Sequence, residues 1–267
     1  MKSIDQLIEG ARIRLVELGK NGHHYIATSL SSLEIQAVLL QQTREGDHVY
    51  LPTHHASAHL ALLEQQGEKI DFSKLGTDEL PYLFHLGKGV TKIKYNSGAM
   101  GTSMPIAVSK AKINPHQKSY VLIGNAEMRE GRTFESLAFV AADNIDNLVV
   151  MINDNGKSFD GKTTLYYAGV LRGFGFEVKE ADGHDINTIL DVIRQSSQSS
   201  KRYGIVFKTE RGHKTDFSDV AYDQKFGETK IANRKYVGRV IERLAQTHEF
   251  KVVAADTAKS TGLEDIV

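Results

Sequence analysis

Two short apolar runs, residues 120–124 and 148–153, most constrain what this chain can fold into. Each is strand-length, and each breaks off into small or amide residues. Gly124-Asn125-Ala126 closes the first, and Asn153-Asp154-Asn155-Gly156 closes the second. Apolar residues at consecutive rather than alternate positions are what a strand covered on both faces requires. Between the runs, residues 133–142 have helical periodicity. Strand, helix, strand in that order makes a right-handed crossover, which sets the C-terminal ends of two parallel strands side by side.

The rest of the chain repeats this alternation. Ile4, Leu7, Ile8, Ala11, Leu15 and Leu18 recur at helical spacing up to Gly19, and Ser31-Ser32-Leu33-Glu34 reads as a capping box opening a helix through Leu40. Strands are expected at 48–51, 120–124, 148–153, 176–181 and 204–208, and helices at 56–66, after 97–101, at 133–142 and at 186–194. Strands separated by helices predict an α/β fold, a doubly wound and mainly parallel sheet with helices on both faces. Residues 212–230 are polar and unpatterned, and read as a loop. A helix at 234–246 and a strand at 251–255 then begin a new unit that ends at Val267, so the expected division is a domain over 1–230 and a short helix–strand extension over 231–267.

Composition excludes several function classes. Lys and Arg total 33 against 33 Asp and Glu, so the balance gives no footprint for nucleic acid or an anionic membrane. No apolar run reaches spanning length, and the first residues carry no signal-type apolar core, which predicts a soluble cytoplasmic chain. With no cysteine there is no disulfide, thiolate metal site or thiol nucleophile. His55 and His59 stand four apart on an expected helix, but no carboxylate at useful spacing joins them, which argues against zinc.

The chemistry belongs at the paired strand ends. Ligands of open α/β sheets bind there, where small residues let backbone come close. Gly124, Asn125 and Ala126 face Asn153, Asp154 and Asn155 in this arrangement, with Gly156 allowing a sharp turn. Oxygen ligands beside backbone N–H groups suit a divalent cation bridging a diphosphate, although Gly and Asn after strands also serve simply as turn residues.

These residues resemble the thiamine-diphosphate enzymes, in which a Gly-Asp-Gly motif is followed about thirty residues later by an Asn. Gly124-Asn125-Ala126 takes the place of the first motif, and Asn155 lies 30 residues after Asn125. The surroundings are similar to the transketolase family in particular: Glu130-Gly131, Asp146-Asn147-Leu148, Asn155-Gly156-Lys157-Ser158-Phe159-Asp160-Gly161 and Asp182-Gly183-His184-Asp185. Thr53-His54-His55-Ala56-Ser57 resembles a Lys-Gly-His-Ala-Ser segment, with His55 as the matching residue. Ser97-Gly98-Ala99-Met100-Gly101 resembles the segment that wraps the diphosphate. Gly22-His23-His24 with Ser29-Leu30-Ser31-Ser32 resembles a further motif, with one residue more between His and Ser.

The resemblance implies a transferase that moves a two-carbon ketol unit between sugar phosphates, using thiamine diphosphate and Mg2+ or another divalent cation. It implies catalytic roles for His55 and Glu130, the latter in a carboxylate network between the sites of an oligomer. Cofactor contacts would come from His55, Gly98, Ala99, Met100, Gly124, Asn125, Ala126, Glu127, Asn155 and His184. Metal contacts would come from Asn125, Asn155 and, through its carbonyl, Lys157. His213, Lys214 and Arg172 are weaker candidates for phosphate. The extension resembles the start of a pyrimidine-binding domain whose glutamate has no counterpart here, so a second chain in a homo- or hetero-oligomer is expected to supply it. A deoxyxylulose-phosphate-synthase-like component is the same-family alternative, suggested by Asn153-Asp154-Asn155 and Phe84-His85-Leu86-Gly87. A non-catalytic assembly partner or regulatory pseudoenzyme is the other. Two departures motivate the latter. Asn125 removes a charge where the family has Asp, and Ala126 adds a methyl group where it has Gly.

Overall fold

The computed structural model describes residues 2–23, 25–44, 46–72, 93–97, 100–158, 161–162 and 165–219, with backbone alone at 53, 93–97, 158, 161–162 and 218–219. The chain divides into units Met1–Asp219 and Val220–Val267. The expected boundary at 230 and the helix–strand extension lie outside the described residues, as do His24, Gly98, Ala99 and the 84–87 motif.

Six parallel strands form one sheet: β1 (His48–Pro52), β2 (Ile93–Ser97), β3 (Ser119–Gly124), β4 (Leu148–Asp154), β7 (Glu177–Asp182) and β8 (Tyr203–Lys208). Their order is β2-β1-β3-β4-β8-β7, and a separate two-residue ladder pairs β5 (Lys157–Ser158) with β6 (Gly161–Lys162). The five strands expected between residues 48 and 208 are all present; the edge strand β2 was not foreseen. Helices α1 (Ile4–Lys20), α2 (Ile26–Ser31), α3 (Leu33–Gln42), α4 (Thr53–Gln65) and α8 (Ile186–Gln198) contribute to one core, with Tyr120, Leu122, Val149 and Met151 from the sheet. Helices α5 (Ser103–Ile113), α6 (Gly131–Ala142) and α7 (Tyr167–Gly173) contribute to the other, with Val121, Ile123, Val150 and Ile152. Odd and even positions of β3 therefore face different cores, which explains why its sequence shows no alternation.

Both faces should bear equal weight. Leu122→Ala and Ile123→Ala, at positions of zero exposure, are each expected to lose about 2–5 kcal/mol in chemical denaturation. A negligible loss at either one would mean that its face is not a packed core.

The capping box expected at Ser31–Glu34 does not form. Ser31 lies inside α2, its hydroxyl donates to the Thr28 carbonyl, and α3 begins after Ser32 without a side-chain cap. Glu34 is instead drawn into a buried ion pair with Arg12, a stronger attraction than a neutral backbone N–H offers. The capping box of this fold is at Ser3 and Gln6, opening α1. Helix α4 starts at Thr53 rather than 56, directly after β1, which puts both His54 and His55 in its first turn.

Candidate functional site at the strand reversal

The strand order reverses between β1 and β3. The helix after β1 packs in one core and the helix after β3 in the other, so the chain parts in opposite directions above their C-terminal ends. That crevice is where ligands of open α/β sheets bind. It is framed by His54 and His55 after β1 and by residues 124–127 after β3.

His55 is fully buried. Its Nδ1 lies 2.9 Å from Ser32 Oγ, while Gln36 donates through Nε2 to Ser32 Oγ at 2.8 Å and to the His55 carbonyl at 3.0 Å. One turn of α3 thus fixes the ring. Its Nε2 has no hydrogen-bond partner among the described residues. Burial, with the neighbouring His54, holds its pKa well below the ordinary value, so the ring is neutral at pH 7. His54 is pushed down to about 4 by burial, and its ring centroid stands 4.5 Å from that of His55.

Glu127 is fully buried in a one-turn 3-10 helix, Glu127–Arg129. One carboxylate oxygen accepts from Gly101 N at 3.0 Å and the other from Gly124 N at 3.0 Å. It therefore clamps the two glycine-bearing segments together, and Thr133 Oγ1 donates to its carbonyl at 2.7 Å. Burial pushes its pKa up to about 7; the two N–H groups oppose this, and the charge of Glu130 adds to it. His54 Nε2 stands 3.5 Å from Glu127 Oε2. A Cβ on Gly124 would lie 3.1 Å from His54 Nε2 and 3.9 Å from His55 Nε2, so glycine here leaves room between β3 and both imidazoles.

Asn125 is buried beside the following turn. Its N–H donates to the Asn153 carbonyl at 3.2 Å, and its Nδ2 donates to the Lys157 carbonyl at 2.8 Å. Asn155 Oδ1 accepts from Lys157 N at 3.1 Å, and Gly156, at φ +68°, donates to Asp154 Oδ1 at 3.2 Å. The second Asp154 oxygen is paired with Lys208. The three donors expected for a divalent cation, Asn125, Asn155 and Lys157, are thus brought to one turn. However, Asn125 turns its Nδ2, a donor, to the Lys157 carbonyl, and Asn155 Oδ1 accepts from Lys157 N. This donor set does not fit a hard cation.

Farther along the same edge, Asn153 donates to Ser31 Oγ at 2.8 Å and accepts from Thr209 Oγ1 at 2.6 Å. His184 follows β7. Its Nδ1 lies 3.2 Å from Glu34 Oε2, its Nε2 accepts from Glu210 N at 2.8 Å, and its ring stacks on His213 at 3.5 Å and 8°. Glu34, His184 and His213 could each offer a ligand atom to one ion. Yet no ion can lie in the planes of two stacked rings, and both His184 nitrogens are engaged, so this cluster reads as a hydrogen-bonded network.

The structure thus brings His55, Gly124, Asn125, Ala126 and Glu127 to the reversal, with Glu130 capping α6 close behind Gly101. Met100 is part-buried beside Gly101, and Asn155 and Lys157 form the neighbouring turn. His184 is held by α3 and the segment after β8, while Arg172 donates to Tyr166 Oη at 2.7 Å. Sequence reasoning missed His54, Ser32 and Gln36. The i, i+4 pair Ser32/Gln36 and the His54-His55 doublet were the available signals.

The family model for the transketolase thiamine diphosphate-binding domain matches residues 86–224. The chain is 30% identical over 137 residues to one subunit of the apulose-4-phosphate transketolase of Actinobacillus succinogenes, covering 45% of this chain and 47% of that relative. It is 25% identical over 233 residues to a 6-deoxy-6-sulfo-D-fructose transketolase subunit of a Clostridium species, covering 78% of this chain and 84% of the relative. The chain thus spans about half the length of the first of these relatives. Leishmania mexicana transketolase superposes with a TM-score of 0.70 at 19% identity, over 81% of this chain and 38% of that one, a likeness of fold. Sheet order, strand-reversal crevice and family match agree: the chain belongs to the transketolase family through its thiamine diphosphate-binding domain.

Proposed function

We propose that this chain is the diphosphate-binding component of a transketolase-type transferase, moving a two-carbon ketol unit between sugar phosphates, with a second chain supplying the pyrimidine-binding domain. The observation that carries the cofactor reading is the buried His55 Nε2, a polar atom without a partner among the described residues, beside Gly124 at the strand reversal. A buried imidazole nitrogen left unpaired costs free energy unless a ligand completes it. The names of the relatives, which are transketolase subunits, support the two-chain reading.

Thiamine diphosphate would supply the nucleophilic carbon that this chain lacks. The chain's own residues would bind and orient it. Ser32 Oγ, beside His55 Nδ1 and itself held by Gln36, fixes the ring so that Nε2 is left to meet the ligand. Gly124, Asn125, Ala126 and Met100 would line the diphosphate side, together with Gly98 and Ala99 and with Asn155 at the neighbouring turn. Glu127 would keep the two glycine segments at fixed separation. Glu130 would join a carboxylate network at an oligomer interface, acting on Glu127 through its charge. The divalent cation is not part of this proposal, because Asn125 turns its Nδ2 to the Lys157 carbonyl and Asn155 Oδ1 already accepts from Lys157 N. His184 would act at a distance from the diphosphate, through the segment after β8. A non-catalytic assembly role is the second reading, favoured by Asn125; Ala126, at φ −66°, carries its methyl group without backbone strain.

Calorimetric titration of thiamine diphosphate into the chain, alone and with a candidate partner chain, tests this. Binding strengthened by the partner, with ketol transfer appearing only in the mixture, is the expected result. Absence of binding in every mixture would remove the cofactor assignment. Binding without turnover would favour the assembly role.

A further inference from the structure

We propose that the Asn125 carboxamide takes the place of a divalent cation in joining β3 to the turn after β4, so that this chain holds its diphosphate ligand without a metal ion. The proposal rests on the cofactor reading for its ligand, but its first test is read on the fold itself.

Asn125 is 3% exposed, so its side chain must find its partners inside the protein. It finds one in the Lys157 carbonyl, across 2.8 Å. An amide and a carboxylate make opposite demands at this position. The amide brings its own hydrogen to the carbonyl. A carboxylate there would set two acceptors face to face, one of them charged, in a part-buried place where solvent screens them less than on the open surface. Only a cation between them would turn that repulsion into attraction. The rest of the turn is arranged to match the amide. Asn155 accepts from Lys157 N, Gly156 N is satisfied by Asp154, and the other Asp154 oxygen is neutralised by Lys208. Among the described residues, the one carboxylate of this turn, Asp154, is thereby balanced by Lys208. At the same strand reversal, His55 Nε2 has no partner among the described residues and is left to meet the incoming diphosphate.

The test is thermal unfolding of the full chain, wild type and Asn125→Asp, in EDTA and in magnesium or manganese, with Mn2+ binding followed by electron paramagnetic resonance. Wild type is expected to melt at the same temperature in EDTA and in metal, and to leave the Mn2+ signal unchanged. Asn125→Asp should melt about 4–8 °C lower in EDTA, recover with metal, and quench the Mn2+ signal. If Asn125→Asp does not fold in EDTA, refolding only with Mn2+ supports the proposal equally. Wild-type Mn2+ binding that Asn155→Ala abolishes would overturn it, and so would an Asn125→Asp chain indifferent to metal. Thiamine diphosphate binding by wild type that requires magnesium would also overturn it while leaving the cofactor reading intact. That reading fails separately, by no binding in either EDTA or magnesium.

Discussion

Glu127→Ala is expected to cost about 2–6 kcal/mol in urea denaturation, because it leaves two buried backbone N–H groups without acceptors at about 1–3 kcal/mol each. Those donors, Gly101 N and Gly124 N, belong to the two segments that frame the crevice, so the variant should also lose cofactor binding. Glu127→Gln keeps the volume but has one acceptor oxygen for two donors, and should fall about 1–3 kcal/mol short of wild type. The carboxylate also has a pH signature. Its folded pKa, about 7, lies above the ordinary 4.5 because burial outweighs the two N–H groups. Between those values the folded chain keeps a proton that the unfolded chain has released. The group's stabilisation is therefore complete below pH 4.5, declines as pH rises towards 7, and is constant beyond. That span corresponds to about 3 kcal/mol. Wild type should exceed Glu127→Gln by more at pH 5 than at pH 8. A constant gap would show that the carboxyl does not titrate there.

The architecture was legible because each central strand announces itself twice. Residues 120–124 and 148–152 are apolar throughout, which only a doubly covered sheet demands, and the helix between them sets the parallel sense. Where that signal weakens, so did the reading. Strand β2 (Lys94, Asn96) has the mixed sequence of an edge, and α7 (Tyr167–Gly173) is too short to show periodicity. The false capping box at Ser31–Glu34 shows how a local motif yields to tertiary demand. Glu34 gains a full charge partner in Arg12, and one backbone N–H cannot compete with that.

The site was legible in its small residues and less so in its supports. Gly124, Asn125 and Asn155 stand at strand ends, where sequence position alone implies a role. Ser32 and Gln36 belong to a different helix, and nothing local says that they orient His55. The same holds for His54: its meaning comes from the strand order, which brings β1 beside β3 although β2 intervenes in the chain. A hydrogen bond such as that from Asn125 to Lys157, across 32 residues, is likewise decided by the fold.

Arg12→Met should be among the most destabilising single changes in the chain, at about 3–5 kcal/mol. Arg12 and Glu34 have side chains 7% and 3% exposed, and removing the guanidinium strands a buried carboxylate. The pH dependence supports this assignment. Burial alone would raise the Glu34 pKa, but hydrogen bonds from His184 and Arg12, with the Arg12 charge, hold it below the ordinary value. The pair therefore stabilises fully above pH 4.5 and loses its contribution as pH falls through the lowered value. Wild type should show that acid limb, and Arg12→Met should lose much of it. The double variant Arg12→Met/Glu34→Leu should recover most of the loss, since an apolar pair of similar volume avoids the desolvation that both charges bear. Failure to recover would mean that Arg12 stabilises chiefly through its second bond. That bond, from Nη1 to the His213 carbonyl at 2.9 Å, and another from Gly212 N to the Ala27 carbonyl at 2.9 Å, tie the segment after β8 to α1 and α2. Hydrogen exchange separates the two roles. Both Arg12 variants should expose amides at residues 209–217, whereas Glu34→Gln, which keeps the guanidinium, should protect them. Equal exchange in all three would break the link between the ion pair and this segment.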